Sequence, residues 1–195
     1  MRNAYAILGI LFIIVAVGAW YAFSRPTPRL PDNSSATTSM KLESSAFGDG
    51  ATIPSRYTCD GENVSPPVTI SDVPKNALSV VLLMDDPDVP KAVKPDGVFD
   101  HWVLFNILTT TTIIAEGGSA GVRGNNGAGK LGYTGPCPPP QYEPSEHRYM
   151  FVLYALDSEL ALKEGTTKQQ VLDAIEGHVL AHAQLMGRYK RVAQQ

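Results

Sequence analysis

Three short polar stretches stand at the ends of apolar runs, where side chains that do chemistry are commonly held. Asp85-Asp86-Pro87-Asp88-Val89-Pro90 follows Leu78–Met84 (LSVVLLM), Asp100-His101 precedes Trp102–Ile107 (WVLFNI), and His147-Arg148 precedes Tyr149–Leu156 (YMFVLYAL). A histidine can donate to an anion, a neighbouring aspartate orients the ring, and N–H groups of a stiff loop add donors. If the apolar runs are neighbouring strands, these groups converge on one sheet edge and line a small polar pocket. A plainer reading stays open: Asp85 and Asp86 are turn residues, and each histidine is a satisfied structural one.

Other chemistries fit less well. A metal site from Asp86, Asp88, His101 and His147 mixes hard and borderline ligands without a recognised spacing. His178 and His182 have the i, i+4 spacing of a zinc helix, but Val179 stands where a metalloprotease needs glutamate. No G-x-S-x-G elbow occurs, and Ser145 lies in a loop without an oxyanion framework. Gly124–Lys130 matches a phosphate loop as far as its lysine, but Leu131 follows where a hydroxyl must meet Mg²⁺. The six glycines from Gly117 to Lys130 therefore read as a surface loop. No catalytic residue, no metal ligand and no cofactor is assigned.

The elements that must position the polar groups centre on Gly132–Asp157. In its first half Pro136, Pro138, Pro139 and Pro140 remove four N–H donors, so neither helix nor central strand forms there. Its second half is an apolar, aromatic run that reads as a buried strand. Leu78–Met84 is short, continuous and β-branched, hence a central strand; Trp102–Ile107 is another, and Met40–Phe47 and Val68–Ile70 are earlier ones. Thr166 or Thr167 caps a helix through Gln169 or Gln170, with Val171, Leu172 and Ile175 on its apolar face and Gly177 at its end. A second short helix is expected over Val179–Met186 and a terminal strand over Gly187–Val192. Many short strands and two late helices define a mainly β, antiparallel domain.

The flanking sequence points to export. Ala4–Phe23 carries no charge over twenty residues, about 30 Å as a helix, one hydrocarbon thickness. Its length favours an uncleaved anchor; Val17-Gly18-Ala19 offers a cleavage site if it is a signal peptide instead. Residues 1–23 are thus the anchor or signal, 24–39 a Pro/Ser/Thr tether, and 40–195 the globular domain. Either way the domain lies outside the cytoplasm, membrane-anchored through residues 4–23 or secreted. Cys59 and Cys137 are the only two cysteines, both in loops. An exported domain permits a bond between them, which pins the Cys59 loop to the proline loop; the alternative is two buried thiols. A net charge of −3 and no Lys/Arg run argue against nucleic acid as a partner.

Taken together, four stretches resemble the phosphatidylethanolamine-binding protein (PEBP) family, in its bacterial and archaeal Raf-kinase-inhibitor-like (YbhB/YbcL-type) branch. They are Asp86-Pro87-Asp88-x-Pro90, Asp100-His101-Trp102-Val103 leading to Asn106, Gly132-Tyr133-x-Gly135-Pro136-Cys137-Pro138-Pro139 running to His147-Arg148-Tyr149, and Cys59–Pro67. Glu176–Ala181 looks like the family's C-terminal helix. The resemblance covers Met40 to Val192. It implies a PEBP-like antiparallel β-sandwich with an end pocket for a small anion or a phosphoryl or phospholipid head group. Carried over, Asp86, His101 and His147 line that pocket, with Tyr133, Pro138 and Tyr149 as walls. N–H groups around Gly135 and Cys137, with Pro136 between them, face the anion, and Asp88 braces the acidic loop. Gln141–Glu146 (QYEPSE) departs from the short Gly-rich link of relatives. The implied role is binding rather than catalysis; inhibition of a serine-protease target and a His/Asp-dependent hydrolase are the rival expectations.

Overall fold

The computed structural model describes residues 39–191. The expected anchor at 4–23 and most of the tether lie outside the described residues. Among the described residues no helix is long and apolar enough to cross a membrane.

Two antiparallel sheets make the domain. The smaller has three strands, β1 (Lys41–Glu43), β2 (Val68–Ser71) and β5 (Ile113–Ile114), in the order β1-β2-β5. The larger has β3 (Ser79–Asp86), β4 (Phe99–Ile107), β6 (Val122–Arg123), β7 (Glu146–Leu156) and β8 (Val179–Lys190), in the order β6-β4-β3-β7-β8. Among the described residues one α-helix, α1 (Lys168–Ile175), precedes β8, and a single 3-10 turn spans Ser55–Tyr57.

Both faces of the larger sheet are covered, which explains why β3 is a continuous apolar run rather than an alternating one. Val80, Leu82 and Met84 share a core with Leu42, Val68, Ile70 and Ile114 of the smaller sheet. The intervening Val81 and Leu83 pack with Val171 and Ile175 of α1. Period-two alternation then sends Asp86 toward the first face and Asp85 toward α1.

The helix starts as its sequence demands. Thr167 and Gln170 form a reciprocal capping box, and Val171 and Ile175 are buried. The second helix expected over Val179–Met186 is instead the first two-thirds of β8, paired in register with β7. Alanine, leucine, glutamine and methionine are good helix formers, but Ala183, Leu185 and Tyr189 are buried at every second position. At Gly187 a Cβ would collide with Ile53, so only glycine lets that side of the strand approach. Tertiary pairing along eleven residue partners overrides local propensity.

Two bulges in β4 shape the site. Between the pairs Val80↔Ile107 and Leu82↔Leu104 the fourth strand holds one extra residue. Asn106 absorbs it with φ of 51°, in the left-handed region, and its amide accepts from Leu160 N and donates to Leu160 O. Between Met84↔Trp102 and Asp85↔Asp100 the extra residue is His101. The extra residue turns His101 to join Asp86 and His147.

Candidate functional site

At one end of the larger sheet a cavity of about 300 Å³ is lined by residues from β3, β4, β7, the β3–β4 loop and the proline loop. Its ionisable side chains are Asp86 at the end of β3, His101 in the bulge of β4, and His147 near the start of β7. All three are buried: Asp86 and His101 are 4% exposed and His147 1%. The remaining wall is apolar, from Val89, Val93, Phe99, Pro138 and Pro139. The proposed convergence on a single sheet edge is therefore what the fold provides.

The hydrogen bonds orient both rings. His147 Nδ1 lies 2.7 Å from Asp86 Oδ2, and His101 Nδ1 lies 2.7 Å from the Thr134 carbonyl. A carbonyl only accepts, so His101 donates from Nδ1 and its Nε2 is the ring's remaining polar atom. His147 likewise donates from Nδ1 to the Asp86 carboxylate. Its Nε2 is buried without a hydrogen-bond partner, and so is the Tyr149 hydroxyl. Such orphaned polar atoms cost free energy and call for a partner. Burial lowers the pKa of His101, opposed by the Thr134 bond and the Asp86 charge. Burial, then the Asp86 charge, push the Tyr149 pKa up, so its hydroxyl keeps its proton.

Around this centre the walls are fastened separately. Asp86 Oδ1 accepts from Asp88 N at 2.9 Å, folding the acidic loop back on itself. Asp88 takes the Arg148 backbone N–H and its guanidinium at 2.6–2.9 Å, which holds the Asp88 pKa low. On the opposite face Lys168 Nζ bridges Asp85 at 2.9 Å and Asp100 at 2.7 Å, tying α1 to the strand ends under the cavity. Burial raises the Asp85 pKa against the pull of Lys168. For Lys168 burial works downward, but its two carboxylate partners outweigh it and raise the pKa.

The proline loop is held against the Cys59 loop. Cys59 and Cys137 are disulfide-bonded, with Cα atoms 5.4 Å apart. Cys59 N donates to Pro136 O at 3.0 Å, and Tyr133 Oη donates to Tyr57 O at 2.6 Å. Gly135 N donates to Asn63 Oδ1 at 2.7 Å, and a Cβ at Gly135 would strike Tyr57 O, Asn63 Oδ1 and Thr58 Cα. This corrects one expectation. The Gly135 N–H is engaged with Asn63 rather than free for a ligand.

Of the residues expected to bind, Asp86, His101, Gly135, Cys137, Pro138 and His147 line the cavity, whereas Asp88, Tyr133, Pro136 and Tyr149 stand behind its walls. Tyr133 packs edge-on against Trp102 and Tyr149 edge-on against His101. Val89, Val93, Phe99, Thr134 and Pro139 also line it and had not been singled out. Val89, Phe99 and Pro139 adjoin residues that had been, and sequence proximity was the available signal. His178 and His182 lie away from the cavity lining, on a turn and on β8 rather than on one helix; His178 Nδ1 bonds Asp157 Oδ1 at 2.8 Å. Among the described residues no three His, Cys, Asp or Glu side chains cluster as metal ligands.

Two antiparallel sheets and one helix among the described residues, with a buried His/Asp cavity at a sheet end, define a mainly β domain. The model of the phosphatidylethanolamine-binding protein family matches residues 43–190. The chain belongs to that family, alongside bacterial and archaeal members. A UPF0098 protein of Chlamydia trachomatis is 46% identical over 153 residues, covering 78% of this chain and 99% of the relative. One from Methanothermobacter thermautotrophicus is 48% identical over 159 residues, covering 78% and 99%. The crystal structure of a putative phosphatidylethanolamine-binding protein homologue from Chlamydia trachomatis aligns with a TM-score of 0.75 at 46% identity, over 79% of this chain and 99% of the other. E. coli YbcL, described as a member of the mammalian PEBP family, shares the fold with a TM-score of 0.70 at 24% identity, over 78% and 99%.

Proposed function

We propose that the domain is a binding protein that holds a small anion or phosphoryl head group between Asp86, His101 and His147, and that it is not an enzyme. One observation carries the reading: His147 Nε2 is buried and unpartnered in a side chain that lines the cavity, while Nδ1 is locked to Asp86. A ligand group that still carries a proton, such as the P–OH of a hydrogen phosphate or of a phosphomonoester monoanion, supplies the missing partner. The small volume and rigid walls suit a head group rather than a macromolecule. No side chain in the lining is an activated nucleophile: Cys137 is bonded, no serine is present there, and the Thr134 hydroxyl has no hydrogen-bonded base.

The same reading puts the domain outside the cytoplasm, tethered through residues 4–23. Its support is the uncharged run Ala4–Phe23 and the Cys59–Cys137 bond, which an oxidising compartment maintains. The test is thermal. Phosphate or phosphoethanolamine at about 100 times its Kd raises the unfolding free energy of the full chain by about 2.7 kcal/mol. His147→Ala abolishes the rise. A melting temperature indifferent to both compounds up to tens of millimolar rejects the reading.

A further inference from the structure

We infer that the glycine run Gly117–Lys130 helps to build the binding site: Gly127 is a positioning residue that sets, through the Phe99 ring, the width of the cavity, so that the ligand is a phosphate monoester with a slim apolar ester group. The inference rests on the anion-binding reading above and goes beyond it.

The run is a fitted segment rather than a slack loop. Gly121, Gly124 and Gly127 recur at every third residue, and each lies against β4. A Cβ at Gly121 would strike the Phe105 carbonyl, one at Gly124 the Val103 side chain, and one at Gly127 the Phe99 ring. Asn126, 5% exposed, closes the segment. Its Oδ1 accepts from Ala128 N at 3.0 Å and Lys130 N at 3.1 Å, and its Nδ2 donates to Gly132 O at 3.2 Å. Gly127 N donates to Asp100 O at 2.7 Å, which fixes the Gly127 backbone beside Phe99 and His101.

Phe99 lines the cavity and Gly127 does not, so the ring stands between them. The Cβ position of Gly127 lies 2.9–3.1 Å from three ring atoms, inside the ordinary carbon–carbon contact of about 3.5–4.0 Å. A side chain at Gly127 therefore drives the ring by about half an ångström or more, away from the segment and into the cavity. Gly127 has no positive φ, so alanine brings this contact without backbone strain. The polar end of the cavity is held independently of the ring: His101 bonds Thr134 O and His147 bonds Asp86. Beyond that end the wall is carbon, from Val89, Val93, Phe99, Pro138 and Pro139, and about 300 Å³ is more than a bare phosphate fills. The apolar part of an ester covers such a wall, and the Phe99 ring decides how wide that part can be.

Methyl phosphate and n-butyl phosphate share one phosphoryl group and differ in the ester, so they separate the anion site from its wall. Calorimetric titration of the full chain in a mild detergent gives their affinities. In the native chain n-butyl phosphate binds the tighter. Gly127→Ala weakens n-butyl phosphate about tenfold, the scale of an overpacked site, and changes methyl phosphate by less than about twofold. In a Phe99→Val background, where the ring is gone, Gly127→Ala changes neither affinity. Phe99→Val alone reads the same wall without relying on the fold of Gly127→Ala: the cavity widens, and cyclohexyl phosphate gains affinity relative to n-butyl phosphate. An unchanged n-butyl phosphate affinity or equal losses for both esters in Gly127→Ala overturns the inference while the anion site stands. So does the same loss with and without the Phe99 ring, or no gain of cyclohexyl phosphate in Phe99→Val. No saturable binding of either ester to the native chain overturns the anion reading and this inference with it.

Discussion

Reduction of the Cys59–Cys137 bond is a perturbation whose size follows from the chain. The bond joins residues 78 apart in sequence. In the chain-entropy account, closing a loop of that length removes about 15 cal/mol/K from the unfolded ensemble, or about 4.5 kcal/mol at 25 °C. Native geometry changes little on reduction, because the same two loops are joined by Cys59 N to Pro136 O, Tyr133 Oη to Tyr57 O and Gly135 N to Asn63 Oδ1. The effect therefore falls on the unfolded state. For a domain of this size 1 kcal/mol moves the melting temperature by about 2–4 °C, so the expected drop is about 9–18 °C. Differential scanning calorimetry of the full chain with and without dithiothreitol, with thiol counting to confirm reduction, measures it. The far-ultraviolet circular dichroism at 20 °C stays the same in both states. A drop below 3 °C, or loss of native dichroism on reduction, refutes the reasoning.

Two substitutions test how the strand ends are held. Lys168→Met leaves Asp85 and Asp100 facing each other without their shared cation, and costs about 2–3 kcal/mol by urea denaturation, below the roughly 3–5 kcal/mol of a fully buried broken pair because the three side chains are partly exposed. Asn106→Ala loses two hydrogen bonds to Leu160 and keeps a positive φ that alanine resists, about 3 kcal/mol together; Asn106→Gly keeps the φ and costs about 1 kcal/mol less.

Much of this fold could be read before any coordinates, and the exceptions have physical causes. Leu78–Met84 and Tyr149–Leu156 announce buried strands because the larger sheet is covered on both faces, so each strand is apolar throughout. The capping box at Thr167 is local chemistry and needs no tertiary information. Val179–Met186 misled because its residues favour helix one by one, while its alternation of buried positions only gains meaning once β7 lies beside it. The site was legible as residue types but not as geometry. Simple alternation puts His101 on the face opposite its neighbour Trp102; a one-residue bulge, invisible in composition, turns it to Asp86 and His147. That the Gly135 N–H bonds Asn63, some seventy positions earlier, is likewise a long-range fact.

A crystal of the domain soaked with phosphoethanolamine asks the central question most directly. The account predicts a phosphoryl group inside the cavity, its oxygens within hydrogen-bond distance of both His101 Nε2 and His147 Nε2, with the Asp86–His147 contact intact. A cavity left empty at a saturating soak, or a ligand seated elsewhere on the domain with both imidazoles untouched, contradicts it.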